Sequence, residues 1–313
     1  MDYYSQQGIS QSTLKRFLNP NPRSLFRSKE PEEDYYYYKE KIYFSKGKLL
    51  DMLMEDRLDI TDYFYVEEEW EHPSDVVESI SQQVYDEGAI DNWTRVLEII
   101  KEHKYQSRWK ESTIAKWVSE TLVGLVIRKE QIGARTVITR DEFDVIALIA
   151  DKIKTGPFTS QIMDEYPGHY QVAIYHEGKK ALIDYLQLDH DKKVARVIDF
   201  KTTYEYLEYF PGQIKKYRLD IQLSWYSYLV SLKYPDYKIL DPVLIVGSTA
   251  EPEWPEPFTL TPKVLMAARF GFTDRKGRYY PGWQELLFKL ESYNHELYNS
   301  DLMNQGTNII NEL

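Results

Sequence analysis

The chain has 313 residues, a net charge of −11 and no cysteine, with 27 tyrosines among an otherwise ordinary globular composition. Zero cysteine removes disulfides, thiolate nucleophiles, Cys-ligated zinc and iron–sulfur clusters together. The negative charge argues against a protein that coats nucleic acid non-specifically, because that binding is driven by Lys and Arg displacing counterions; an enzyme with an acidic site and a local basic track remains open.

No run of 18 apolar residues occurs, so no membrane-spanning helix is expected. The opening "MDYYSQQGIS" has neither a basic n-region nor an apolar h-region, unlike a signal peptide. The expectation is a cytoplasmic protein.

Ser10 is placed to cap a short helix over 10–18, stopped by Pro20 and Pro22. This helix opens a basic stretch, 11–29, holding Lys15, Arg16, Arg23, Arg27 and Lys29 with no acid; a solvated basic face is an equal reading of it. "SKGKLLDMLMED" predicts a second helix burying Leu49, Leu50, Leu53 and Met54. Helical patterns follow over 74–86, 91–104 and 108–129, with Gly88 ending the first and Asp91 capping the second. Thr139-x-x-Glu142 is a capping box opening a fourth helix, which Gly156-Pro157 closes.

The texture then changes to three strand candidates, 170–178, 179–189 and 193–203, rich in Val, Ile and Tyr. A long helix over 212–232, a strand over 238–247 and a last helix over 282–299 complete the chain. That order predicts one α/β domain, 1–313, divided into a mainly helical part (1–160), a core (168–250) and a C-terminal helical extension (251–313).

The second and third strands each place one aspartate in an apolar run, "LID" and "VIDFKTT". Folding 179–203 as a hairpin about Asp191 and Lys192 sets Leu186 opposite Val197, Asp184 opposite Asp199 and Leu182 opposite Lys201. Alternation then puts Leu182, Asp184, Leu186, Leu188, Ala195, Val197, Asp199 and Lys201 on one face. Opposed Cβ atoms lie about 4.5–5.5 Å apart, so two carboxylates there repel unless a cation sits between them. Mg²⁺ fits such a gap. An acid-x-Lys alone says little, since Glu102/Lys104 and Asp236/Lys238 repeat it; a plain Asp–Lys ion pair on a half-buried sheet is the bland alternative.

These residues resemble the PD-(D/E)XK nuclease core, in which an Asp on one strand and Asp-x-Lys on the next bind magnesium and activate water. Gln222-x-x-x-Tyr226 on the following helix is similar to the signature of RecB-type members, and its spacing puts both side chains on one helix face. "ISQSTLKRFL", "GKLLDMLMED" and "ARTVITRDEFDVIALIADKIKTGPF" look like segments of phage-type, RecE-like exonucleases related to exodeoxyribonuclease VIII. The likeness runs from about residue 8 to 247. Two positions depart from it: Asp51 stands where members usually carry a histidine near the metal, and Gln171 where many carry glutamate.

The resemblance implies a restriction-endonuclease-like fold, a mixed sheet with flanking helices, and Mg²⁺-dependent phosphodiester hydrolysis, with Mn²⁺ able to substitute. Asp184, Asp199 and the Phe200 carbonyl would hold the metal, with Asp51 completing or flanking the site. Lys201 would orient water or neutralise developing charge, while Gln222 and Tyr226 would position substrate or that lysine. Lys15, Arg16, Lys215, Lys216 and Arg218 are expected to follow the DNA backbone; His176 and Glu177 are weaker candidates for metal. The implied partners are DNA, chiefly duplex ends, a single-strand annealing protein, and further copies of the chain, in a phage recombination setting. A site- or structure-specific endonuclease on the same core, and a degenerate non-catalytic DNA-binding protein, are the rival readings. Zero cysteine strongly disfavours the cysteine-ligated relatives that share the Gln-x-x-x-Tyr helix.

Overall fold

Thr139 and Glu142 cap the helix Arg140–Thr155 reciprocally: Glu142 N donates to Thr139 Oγ1 at 3.2 Å and Thr139 N to Glu142 Oε2 at 3.3 Å. The sequence pattern is realised as drawn. The computed structural model describes residues 3, 8–18, 35–68 and 72–299, the side chains of 35–44 and 293–299 excepted. Arg23, Arg27 and Lys29 lie outside them.

Contacts divide the chain into two compact units, residues 57–144 and residues 1–56 with 145–313. The 57–144 unit is mainly helical. Asp75–Asp86 and Trp93–Glu102 pack against the later helix through Ile80, Val84, Val96, Ile99, Leu122 and Val126. Asn92, rather than Asp91, caps Trp93–Glu102, accepting from Arg95 N at 3.2 Å. The predicted 108–129 helix is three successive segments: α-helical Glu111–Trp117, π-helical Val118–Leu122 and α-helical Val123–Ile132. A two-stranded parallel pair, Phe64–Glu67 with Thr136–Thr139, was not foreseen.

The other unit carries a six-stranded mixed sheet. Strands Gly168–His176, Lys179–Asp189 and Val194–Thr203 form an antiparallel meander. Val243–Ser248 then pairs parallel to Val194–Thr203, and Glu256–Thr259 adds an antiparallel edge. A parallel partner requires a crossover, and the helix Leu219–Lys233 supplies it. That helix is buried nearly all round, with Trp225, Ile221, Leu223 and Leu229 fully covered, which matches its apolar composition. Every residue of Val243–Ser248 is buried, as in a strand covered on both faces. Here Gly247 is required: a Cβ would overlap Ile149 of the Arg140–Thr155 helix.

Three boundaries differ from the sequence reading. The 212–232 helix is two helices, Phe210–Lys216 and Leu219–Lys233, broken at Arg218 with a left-handed φ of 51°. The 238–247 strand is interrupted before Val243, after Pro242, which has no N–H for the ladder. The region after 251 contains a strand of the main sheet and the short pair Phe272–Thr273 with Tyr279–Tyr280, besides the helices Pro262–Phe270 and Trp283–Asn299.

Candidate active site

The hairpin register is the one expected: Leu186 pairs with Val197 and Leu188 with Ala195. The ladder ends at Tyr185 and Ile198, so Asp184 and Asp199 sit one step beyond it. There Asp184 Oδ2 accepts a 3.0 Å hydrogen bond from Phe200 N, and Leu182 does not pair with Lys201.

The assumed face needs one correction. Ala181 and Ile183, not Leu182, share the core cluster with Leu186 and Leu188. The inward alternation therefore slips by one at Asp184. Opposite it, Gln171 adopts φ 48°, and the pairing skips from Tyr170–Tyr185 to Val172–Ile183. This is a local kink in both strands, of the kind that re-aims a side chain.

Lys201 closes the group. Its Nζ forms an ion pair with Asp199 Oδ2, lies 3.9 Å from Asp184 Oδ2, and donates to the Phe200 carbonyl at 3.1 Å. The ammonium thus contacts the three oxygen donors assigned to a metal from the sequence. Asp199 is fully buried, and its Oδ2 meets the lysine's charge without an aligned hydrogen bond. Gln222 Nε2 donates to Asp199 Oδ1 at 2.7 Å and lies 3.4 Å from the Tyr226 hydroxyl. The glutamine therefore positions Asp199, where the sequence had suggested the substrate or Lys201.

Electrostatics tie in residues from further away. Burial pushes the Asp51 carboxyl, on the helix Tyr35–Met54, up to about 7; Asp199 and Glu55 act the same way and Lys201 opposes them. Asp184 is raised well above the carboxylate range by burial, then by Asp199 and Asp51. Burial works against the Lys201 charge, but Asp199 and Asp184 outweigh it and hold the ammonium above its usual range. Lys15 is lowered to about 8 by burial and by Lys201. The Tyr226 hydroxyl is raised by burial, then by Asp199. Burial acts on all five groups, and the charges of Asp51, Asp184, Asp199 and Lys201 in one low-dielectric pocket add to it or oppose it.

Of the expected backbone contacts, Arg16 and Lys216 are exposed and Lys15 is half-buried beside the acids. Lys215 pairs with Asp274 at 3.2 Å. Arg218 is not on the surface: its guanidinium is buried against Asp220 at 3.1 Å and the Pro281 carbonyl at 2.9 Å. His176 and Glu177 pair with each other at 3.8 Å, at the end of the first sheet strand. Glu55 and Asp220 were missed. Glu55 is one helical turn from Asp51, a spacing that could have flagged it; no local pattern marks Asp220.

The donor set, two carboxylates and a carbonyl, fits a hard divalent cation. Among the described residues, no three His, Cys, Asp or Glu side chains are gathered at metal-ligating distances.

No protein-family model and no curated protein matches the chain. Among solved structures it is similar to the crystal structure of a "putative exonuclease" from Eubacterium rectale. Identity is 16%, the TM-score is 0.32, and the match covers 54% of this chain and 67% of that one. A likeness of that size carries no weight for the site, whose reading rests on the residues above. No helix among the described residues is long and apolar enough to cross a membrane.

Proposed function

We propose that the chain is a Mg²⁺-dependent nuclease of the PD-(D/E)XK type, a RecE-like exodeoxyribonuclease that hydrolyses linear DNA from its ends in phage recombination or DNA processing. The observation that carries this reading is the convergence of Asp184, Asp199 and the Phe200 carbonyl on the Lys201 ammonium. Acids placed side by side in a buried setting raise each other's pKa and gain nothing for the fold; a divalent cation makes the arrangement useful.

Asp184, Asp199 and the Phe200 carbonyl would hold Mg²⁺ or Mn²⁺, with Asp51 flanking. When bound, the metal polarises a phosphodiester and lowers the pKa of water. In the metal-free site Asp199 and Asp184 hold Lys201 as an ammonium; it would serve as a cation and donor towards the phosphate oxygens. Gln222 fixes the Asp199 carboxylate, and Tyr226 backs Gln222. Duplex ends, an annealing partner and a homo-oligomer belong to this proposal through the family resemblance.

One observation favours a second reading, a non-catalytic DNA-binding protein: among the described residues no three His, Cys, Asp or Glu side chains are gathered at metal-ligating distances, and Asp51 and Gln171 stand at the two divergent positions. Incubating an end-labelled linear duplex beside a closed circle, with Mg²⁺ and with EDTA, separates the readings. Shortening of the linear DNA alone, only with metal and lost in Asp199→Ala, supports the exonuclease. Cutting of both substrates points to an endonuclease, and cutting of neither to the non-catalytic protein.

A further inference from the structure

The proposed site uses Tyr226, one of 27 tyrosines. Several others are exposed. Tyr204 follows the strand that carries Lys201 and is 67% exposed, and Tyr217 is 48% exposed. Lys216 Nζ lies 5.0 Å from the centre of the Tyr217 ring. One helical turn before it, Gln213 Nε2 donates to Thr203 Oγ1 at 3.1 Å and Glu205 Oε2 at 2.7 Å, which holds the residues on either side of Tyr204 against the same helix.

Lys215 and Lys216 also line a cavity of about 550 Å³, whose far wall includes Arg278 and Tyr279. Tyr279 is 56% exposed, with its hydroxyl tied to Glu285 Oε2 at 2.7 Å. The turn bearing Arg278 and Tyr279 is built on Asp274, which accepts from Lys276 N at 2.9 Å, Arg278 N at 3.0 Å and Lys215 Nζ at 3.2 Å. Two cations, Lys215 and Arg278, pair with this one carboxylate, in a chain whose net charge is −11.

We propose that Tyr204, Lys216, Tyr217, Lys215, Arg278 and Tyr279 form a binding strip for a single-stranded segment of nucleic acid, resting on the reading of Asp184 and Asp199 as the site that cleaves it. Cations alone would serve a duplex, whose phosphates lie outside and whose base faces are hidden. Exposed rings interleaved with cations suit an unpaired strand, because its bases can stack on tyrosine while Lys and Arg meet its phosphates. The strip begins three residues after Lys201, so a strand lying on it enters the proposed site from the end of the same sheet strand.

The test is fluorescence anisotropy of a labelled twelve-residue oligothymidylate and of a blunt duplex of equal length, in EDTA so that no cleavage occurs. Tighter binding of the single strand is expected. Tyr204→Ala and Tyr217→Ala should each weaken it about tenfold, the size of a lost base stack, while Tyr204→Phe and Tyr217→Phe bind as the parent does. Lys216→Ala should flatten the salt dependence by about 0.7 in log–log slope, the single-strand value for one phosphate. A thermal melt of each variant identifies any that fails to fold. Preference for the duplex, no binding of either, or alanine variants that fold and bind normally would overturn the strip. Metal-dependent cleavage with unchanged tyrosine variants would sink the strip and leave the nuclease standing. Tyrosine-dependent binding without cleavage would do the reverse.

Discussion

Gln222 Nε2 reaches across from the crossover helix to Asp199 Oδ1 at 2.7 Å, fixing a fully buried carboxylate whose other oxygen pairs with Lys201. The hydrogen bond leaves Asp199 Oδ2 turned towards Lys201 and Asp184, so the helix sets the direction in which the acid pair can bind a cation.

Gln222→Ala should therefore act through metal binding. Outer residues that orient metal-ligating groups typically contribute 10–100-fold in affinity or activity. We expect a loss of about that size at limiting Mg²⁺, with partial recovery at saturating metal. An initial-rate series over Mg²⁺ concentration checks it; equal loss at every concentration would place Gln222 in the chemistry instead.

Lys201→Ala removes the cation from between two acids. About 2–3 kcal/mol of metal-free stability should be lost, since breaking a buried pair leaves an uncompensated charge. Lys201 is still a quarter exposed, which puts the cost at the lower end. Mg²⁺ should restore much of that stability without restoring activity. Thermal melts with and without metal read the first effect, and the nuclease assay the second.

The acid cluster also fixes a pH dependence. Asp51 has a folded pKa of about 7 against 3.8 as a free side chain. A raised value means that its protonated form favours the folded state. That contribution is fully present below about pH 4 and is lost as pH rises towards 7. Metal-free Asp51→Asn should accordingly match the parent at pH 4 and melt higher at pH 8, by about 2–4 °C for each kcal/mol relieved. Equal melting temperatures at pH 8 would contradict the assigned burial. Mg²⁺ binding should in addition release protons near pH 6, seen as a buffer-dependent calorimetric heat.

Gly247 tests the packing beneath the site. Gly247→Ala forces a methyl into Ile149 and should cost about 1–3 kcal/mol, as overpacking does. Pairing it with Ile149→Ala should recover part of that loss. A single mutant as stable as the parent would show that the helix over this strand is not closely seated.

Local chemistry in the sequence was enough for several features. The hairpin register follows from two apolar runs with a period of two around one charged turn, and a one-residue slip would have turned both runs outward. The capping box at Thr139 and Glu142 needs only four residues. Gln222 and Tyr226 share one helix face because they are four residues apart.

Tertiary structure decided what no local period encodes. The chain bends at Arg218 because its guanidinium is satisfied by Asp220 and the Pro281 carbonyl, and the second partner lies 63 residues away. The inward alternation slips at Asp184 because the neighbouring strand kinks at Gln171. Asp51 and Lys15 join the acids from helices more than a hundred residues upstream, where their own neighbours look like ordinary amphipathic turns. Sequence set the strands and the charges on them; long-range burial decided which charges share one pocket, since desolvation and Coulomb energies depend on distance in space and not along the chain.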